Sequence, residues 1–132
     1  MRIPGLHLDG PLDDLPWRAT RYPGIDWIDL SGAESGAART ALIRMAPGRG
    51  YPRHRHVGPE DVLVLAGGYE DEDGRRLVAG DHVRYEAGTE HAPCALDDAR
   101  SQTGGPCVLF AVAHQGTELV DDEHASAGSE AR

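Results

Sequence analysis

Apolar residues come in short runs separated by turn-forming residues, and no sustained helical period joins them. Trp27 to Leu30 is followed by Ser31-Gly32-Ala33-Glu34-Ser35-Gly36, and the run from Arg39 to Met45 stops at Pro47-Gly48. These segments predict two strands divided by turn chemistry. Asp61 to Leu65 lies between Gly58-Pro59 and Gly67-Gly68, and its length and β-branching predict a buried strand. The charged stretch from Glu70 to Arg76 contains Asp73-Gly74, a hairpin tip. Leu77-Val78, Val83 to Tyr85 and Val108 to Ala113 follow, punctuated by Gly80, Gly88 and Gly104-Gly105. That cadence predicts an all-β sandwich or barrel.

The ends depart from this pattern. Residues 1–22 mix Pro, Asp, Gly and isolated apolar residues, as in an extended arm or a short edge strand. Beyond Gly116 the apolar supply falls away, and residues 117–132 carry five acids against Arg132 alone. The expected division is therefore an arm over 1–22, a barrel over 23–116 and an acidic, flexible tail over 117–132.

Composition narrows the picture. A chain of 132 residues with 39% hydrophobic content suits one domain, and 17 Gly and 9 Pro suit short strands joined by tight turns. A net charge of -9 argues against nucleic acid or an anionic membrane surface as a partner. The first residues contain no signal-like apolar stretch, and no window reaches the roughly 18 apolar residues of a membrane span. A soluble cytoplasmic protein is the expectation. Cys94 and Cys107 lack paired metal or redox spacing and read as two reduced thiols.

The chemistry is concentrated between Gly50 and Glu60. On a strand, His54 and His56 share one face, so two imidazoles reach one point. The turn Val57-Gly58-Pro59 returns the chain at Glu60, and Glu60, Val62 and Val64 then share the inward face. A third imidazole, His91, follows the turn at Gly88 and opens another strand. Without a cation, three neutral imidazoles and a carboxylate are costly to bury together, which argues against a purely hydrogen-bonded core cluster. By alternation, Val62, Val64, Phe110 and Val112 are the expected pocket wall, with Tyr51, Tyr69 and Tyr85 as polar contacts. His7, His82, His114 and His124 lie outside the pattern and read as surface or structural residues.

These positions resemble the two motifs of the cupin superfamily. Gly50, His54, His56, Glu60 and Gly67 match the first, and Gly80, Gly88 and His91 match the second; Glu86 stands where that motif has Pro, and Ala95 where it has Asn. A closer likeness, to the ChrR-like cupins, is carried by Pro23-Gly24, the Arg39–Arg44 run, Ala46-Pro47-Gly48 and Val62 to Leu65, over roughly residues 23 to 113. The resemblance implies a jelly-roll β-barrel enclosing one metal ion held by His54, His56, Glu60 and His91, and a homodimer.

Imidazole suits Zn, Fe, Cu and Ni and one carboxylate excludes none of them, so the ligands alone leave the ion open; Fe or Zn is the first expectation, with Mn, Ni or Cu as alternatives. A divalent ion in that set leaves a net charge of about +1, which favours an anionic or enolisable small-molecule ligand. With six-coordinate Fe(II), two positions remain for substrate and oxygen. Some cupins of this likeness cleave carbon–carbon bonds in diketones or hydroxylated aromatic ketones, so the resemblance implies a non-haem dioxygenase, with Glu60 as weak ligand or proton acceptor. The rival expectation is a zinc-bound binding or sensing cupin with a closed shell; a metal-assisted isomerase or hydrolase is the third. ChrR-like cupins also form part of anti-sigma factors, whose helical zinc domain residues 1–22 are too short to supply. A sigma-factor partner is not expected.

Overall fold

The computed structural model describes residues 5–31, 38–97 and 105–120. Among them the regular structure is a single 3-10 turn, η1 (Leu12–Asp14), and twelve strands. The strands are β1 (Arg18–Ala19), β2 (Ile25–Asp29), β3 (Arg39–Met45), β4 (His54–His56), β5 (Glu60–Ala66), β6 (Gly68–Glu70), β7 (Arg76–Val78), β8 (His82–Tyr85), β9 (Glu90–His91), β10 (Cys94–Ala95), β11 (Cys107–Ala113) and β12 (Thr117–Leu119). The expected all-β jelly roll is what forms.

One sheet runs β1-β2-β3-β11-β5-β8 and is antiparallel throughout. The opposing wall consists of two three-stranded pieces, β12-β4-β9 and β10-β6-β7. They are sewn together because the stretch from Glu90 to Ala95 runs beside both: His91 pairs with His54, Gly50 bridges to Cys94, and Cys94 pairs with Glu70. Between the walls lie Ile25, Ile43, Met45, Val62, Val64, Tyr69, Leu77, Leu109 and Ala111, all buried.

The chain crosses from the large sheet to the small wall at Gly67, where φ is +64° and an added Cβ would lie 2.4 Å from the Pro106 carbonyl oxygen. Both facts require glycine there. The Asp73-Gly74 tip closes the β6–β7 hairpin through Asp71 N to Arg75 O at 2.9 Å.

At the chain's start, β1 is the edge of the large sheet, and the preceding turn is tied to its outer face. Arg44, pointing outward from β3, bonds Asp26 at 2.8 Å, reaches Asp13 at 3.2 Å and lies 4.7 Å over the Trp17 ring. At the other end, β12 falls within the span expected to be tail: Thr117–Leu119 pairs with β4, because Glu118 meets Arg55 and Thr117 is buried. Residues 121–132, the rest of that expected tail, lie outside the described residues.

One expectation is reversed. Ala111 lies opposite Val62 and Leu109 opposite Val64, so Leu109 and Ala111 share the inward face. Phe110 lies opposite Leu63, which is exposed, and Val112 opposite Asp61; both point outward and are only partly buried. The phase was hidden because Cys107–Ala113 is apolar at every position and the pairing with β5 shifts register between Val108 and Leu109.

Candidate metal centre

Alternation on β4 sends His54 and His56 inward and Arg55 outward, where it meets Glu90 and Glu118. The turn after His56 brings Glu60 in at the first position of β5, and pairing across β4 and β9 sets His91 opposite His54. All four side chains are buried, His56 completely, and one ligand atom from each lies within 4.8 Å of the others. The structure thus brings together the four residues singled out from the sequence.

The far side of each ring fixes its tautomer. His54 Nδ1 is 3.0 Å from the Pro52 carbonyl oxygen, which can only accept, so Nδ1 carries the proton. His56 Nδ1 is 2.9 Å from Thr89 Oγ1, and that hydroxyl donates its own proton to the Glu86 carbonyl at 2.7 Å. His56 Nδ1 must donate as well. His91 Nδ1 donates to Asp71 Oδ1 at 2.9 Å. Burial pushes the Asp71 carboxyl up, but hydrogen bonds from His91, Tyr85 and Arg75 outweigh that, leaving it below the usual carboxylate range.

With every Nδ1 protonated, the Nε2 atoms present lone pairs to one another. Those of His54 and His91 are 3.0 Å apart, and His56 Nε2 sits 2.8 Å from Glu60 Oε1, outside hydrogen-bond alignment and with no partner. A proton shared between His54 and His91 would relieve that pair alone. A cation relieves all of these contacts at once, and neutral imidazoles held at Nδ1 by carbonyl, hydroxyl or carboxylate are how metal-binding histidines are oriented. The residues therefore suit a metal ion with affinity for nitrogen and oxygen.

Tyr85 completes the surroundings. Its ring stacks on His56 with centroids 5.0 Å apart, and its hydroxyl donates to Asp71 Oδ2 at 2.7 Å. Because that proton is committed, Tyr69 is the donor in the 2.6 Å contact between the two phenols. Burial pushes both phenols far up, so they stay neutral donors. The expected tyrosines Tyr51, Tyr69 and Tyr85 all lie at the site, Tyr51 edge-on to His54 with centroids 5.2 Å apart. Next to His54, Glu60 and His91 is a cavity of about 30 Å³, walled by Val62, Leu109 and Ala111 among others.

Sequence reasoning missed Asp71, which reads as one more acid in the run from Glu70 to Arg76. The available signal was alternation from the inward Tyr69, which sends Asp71 inward two residues later. Thr89 was also missed. His82 and His114 gather instead on Asp61, each with Nε2 at 3.1 Å from a carboxylate oxygen, and all of this lies outside the centre. His7 is not part of the group, and His124 lies outside the described residues.

No curated protein matches the chain. Among solved structures, it is similar to the complex of Rhodobacter sphaeroides SigE with the anti-sigma ChrR, at 33% identity and a TM-score of 0.63 over 78% of this chain. It spans only 50% of the chain matched there. An RmlC-like cupin from Ralstonia eutropha JMP134 aligns at 23% identity, a TM-score of 0.70, and 92% and 75% of the two chains. An acetylacetone dioxygenase from Acinetobacter johnsonii aligns at 14% identity, a TM-score of 0.72, and 99% and 88%. At those two identities the likeness is one of fold. The family profile of the ChrR cupin-like domain matches residues 10–103, most of the chain and all four buried ligand candidates, and the protein belongs to that family.

Proposed function

We propose that the chain is a metal-dependent cupin in which His54, His56, Glu60 and His91 hold one divalent ion, and that it oxygenates a small enolisable ketone or diketone. The observation that carries the metal reading is the set of Nε2 lone pairs turned on one another and on Glu60 by partners fixed at Nδ1. When bound, a divalent iron would supply affinity for an enolate and a route by which the substrate's electrons reach dioxygen.

The chain's own groups do the rest. Val62, Leu109 and Ala111 line the adjoining cavity and keep bulk water from the reacting end of a ligand. Glu60, close to His56 and on that cavity's wall, is placed to accept the proton lost as the ketone enolises. Diketone dioxygenation is the activity named for the Acinetobacter johnsonii protein, and the fold and ligand types here are compatible with it.

A second reading, a zinc-bound sensing cupin, is favoured by the 33% identity to a chain of the SigE–ChrR complex. A sigma factor as partner belongs to that reading, whereas a homodimer is compatible with either. Elemental analysis of protein purified without added metal, then oxygen uptake with simple β-diketones after anaerobic Fe(II) loading, separates the two. Iron with substrate-dependent uptake supports the dioxygenase; tightly held zinc and no uptake supports the sensor. His91→Ala is expected to lose stoichiometric metal, and wild-type metal content in that variant would refute the ligand set.

A further inference from the structure

The cavity beside the metal ligands, about 30 Å³, has room for about two water-sized groups, since one water requires about 10–15 Å³ of such space. A benzene-sized ring does not fit there, so only the reacting end of a ligand does. A second cavity of about 500 Å³ adjoins it, within the range of about 300–1,000 Å³ typical of small-molecule sites. Ile43 and Tyr51 line both. The Tyr51 ring marks the junction, edge-on to His54 at 5.2 Å on one side and tilted against Tyr22 at 5.8 Å on the other.

Only 5% of the chain is aromatic, yet all four tyrosines and one of the two tryptophans gather along this path. Tyr69 and Tyr85 stand at the metal ligands, Tyr51 at the junction, and Tyr22 and Trp27 on the outer wall. Trp27 points inward from β2, where it pairs with Ile43, but it is only partly buried, as is Tyr22. An inward ring that borders open space lacks a packing partner on that side, and a second flat ring supplies one with favourable geometry. Ile25, Ile43 and Leu119 add apolar surface to the same wall. Arg39 is paired with Asp29 at 3.6 Å and Arg21 lies 5.4 Å over the Tyr22 ring, so neither guanidinium is assigned to a ligand.

We propose that the outer cavity binds a neutral aromatic ring that a short alkyl spacer separates from the ligand's reacting carbonyl. The ring lies against Trp27 and Tyr22, and the carbonyl end passes Tyr51 to the metal ligands. This deepens the proposed function by naming its substrate class, an arylalkyl ketone, and only the carbonyl end rests on that reading. Ketones whose reacting oxygens are borne on the ring itself do not meet this geometry, because the ring would have to enter the inner cavity.

The test uses Trp27 as reporter. The sequence has two tryptophans, so a Trp17→Phe protein leaves Trp27 alone; Trp17 itself lies under Arg44 on the outward face of the sheet. This protein is titrated with 4-phenylbutan-2-one, with 4-cyclohexylbutan-2-one and with butan-2-one, which has no ring. A saturable change in Trp27 fluorescence is expected with the phenyl compound, at an affinity about tenfold or more above that for butan-2-one. Adding Tyr22→Leu, which keeps the wall apolar, is expected to weaken the phenyl compound about fivefold and leave the cyclohexyl compound unchanged, whereas Tyr22→Phe keeps both affinities. The comparison of ligands needs neither Tyr22 variant and decides the matter even where one fails to fold. No saturable change, or equal affinity for the phenyl compound and butan-2-one, overturns the proposal. Equal weakening of the phenyl and cyclohexyl compounds by Tyr22→Leu overturns it as well, since the wall would then accept any apolar group. Metal uptake without a Trp27 response defeats the outer site alone; a Trp27 response in protein that takes up no metal defeats the metal reading alone.

Discussion

Asp71 does for His91 what the Pro52 carbonyl does for His54: it takes the Nδ1 proton and leaves Nε2 facing inward. It differs in being ionised and in holding Tyr85 and Arg75 as well, so it both orients the ring and raises its basicity. Asp71→Asn keeps the shape and removes the charge. Metal affinity is expected to fall about ten- to a hundredfold, measured by competition with a chromophoric chelator, while far-UV circular dichroism stays unchanged. Unaltered affinity would mean that Asp71 serves packing only.

The two cysteines make a second residue-scale contrast. Cys107 is 1% exposed and burial pushes its thiol up to about 12, whereas Cys94 is exposed. A raised thiol remains protonated at neutral pH and is a poor nucleophile. Native protein is therefore expected to release the colour of one thiol with Ellman's reagent, and of two in denaturant. Rapid reaction of both in native buffer would contradict the burial of β11.

At the scale of elements, the joints carry the strictest requirements. Gly67→Ala places a Cβ against the Pro106 carbonyl in a left-handed backbone, whereas Gly74, also at positive φ, has open space around it. Gly67→Ala is expected to cost about 3 kcal/mol and Gly74→Ala about 1 kcal/mol, read from urea midpoints. Similar midpoints for the two would show that the β5–β6 joint can shift to make room.

Elements also show what sequence can disclose. β3 was legible to the residue, and His54, His56 and Glu60 were legible because polar side chains recurred at strand spacing. His91 required the second motif, since nothing local ties a lone histidine after a turn to a site about thirty residues earlier. The inward phase of β11 was not legible, because seven apolar residues in a row carry no mark of which side faces the core. Asp71 was masked in the opposite way, by charged neighbours that do face solvent.

For the whole molecule, an ion bound at the electron-rich centre would act on stability as well as on chemistry. An ion that binds the folded protein and not the unfolded chain adds about 2.7 kcal/mol when present at a hundred times its dissociation constant. Exhaustive chelation is expected to lower the melting temperature and equimolar zinc to restore it, followed by scanning calorimetry. The same experiment on His91→Ala is expected to show no response to zinc. A chelator-insensitive wild-type melting temperature would argue that the four side chains hold no ion.

His54, His56 and His91 stand on the small β12-β4-β9 piece, whereas Glu60 opens a strand of the six-stranded sheet. A bound ion would therefore act as a rivet between two walls joined here by a short turn. Strands of two or three residues have little cohesion of their own, so the riveted piece would breathe as a unit when the ion departs, and its amide protons would exchange with solvent at a rate set by metal occupancy.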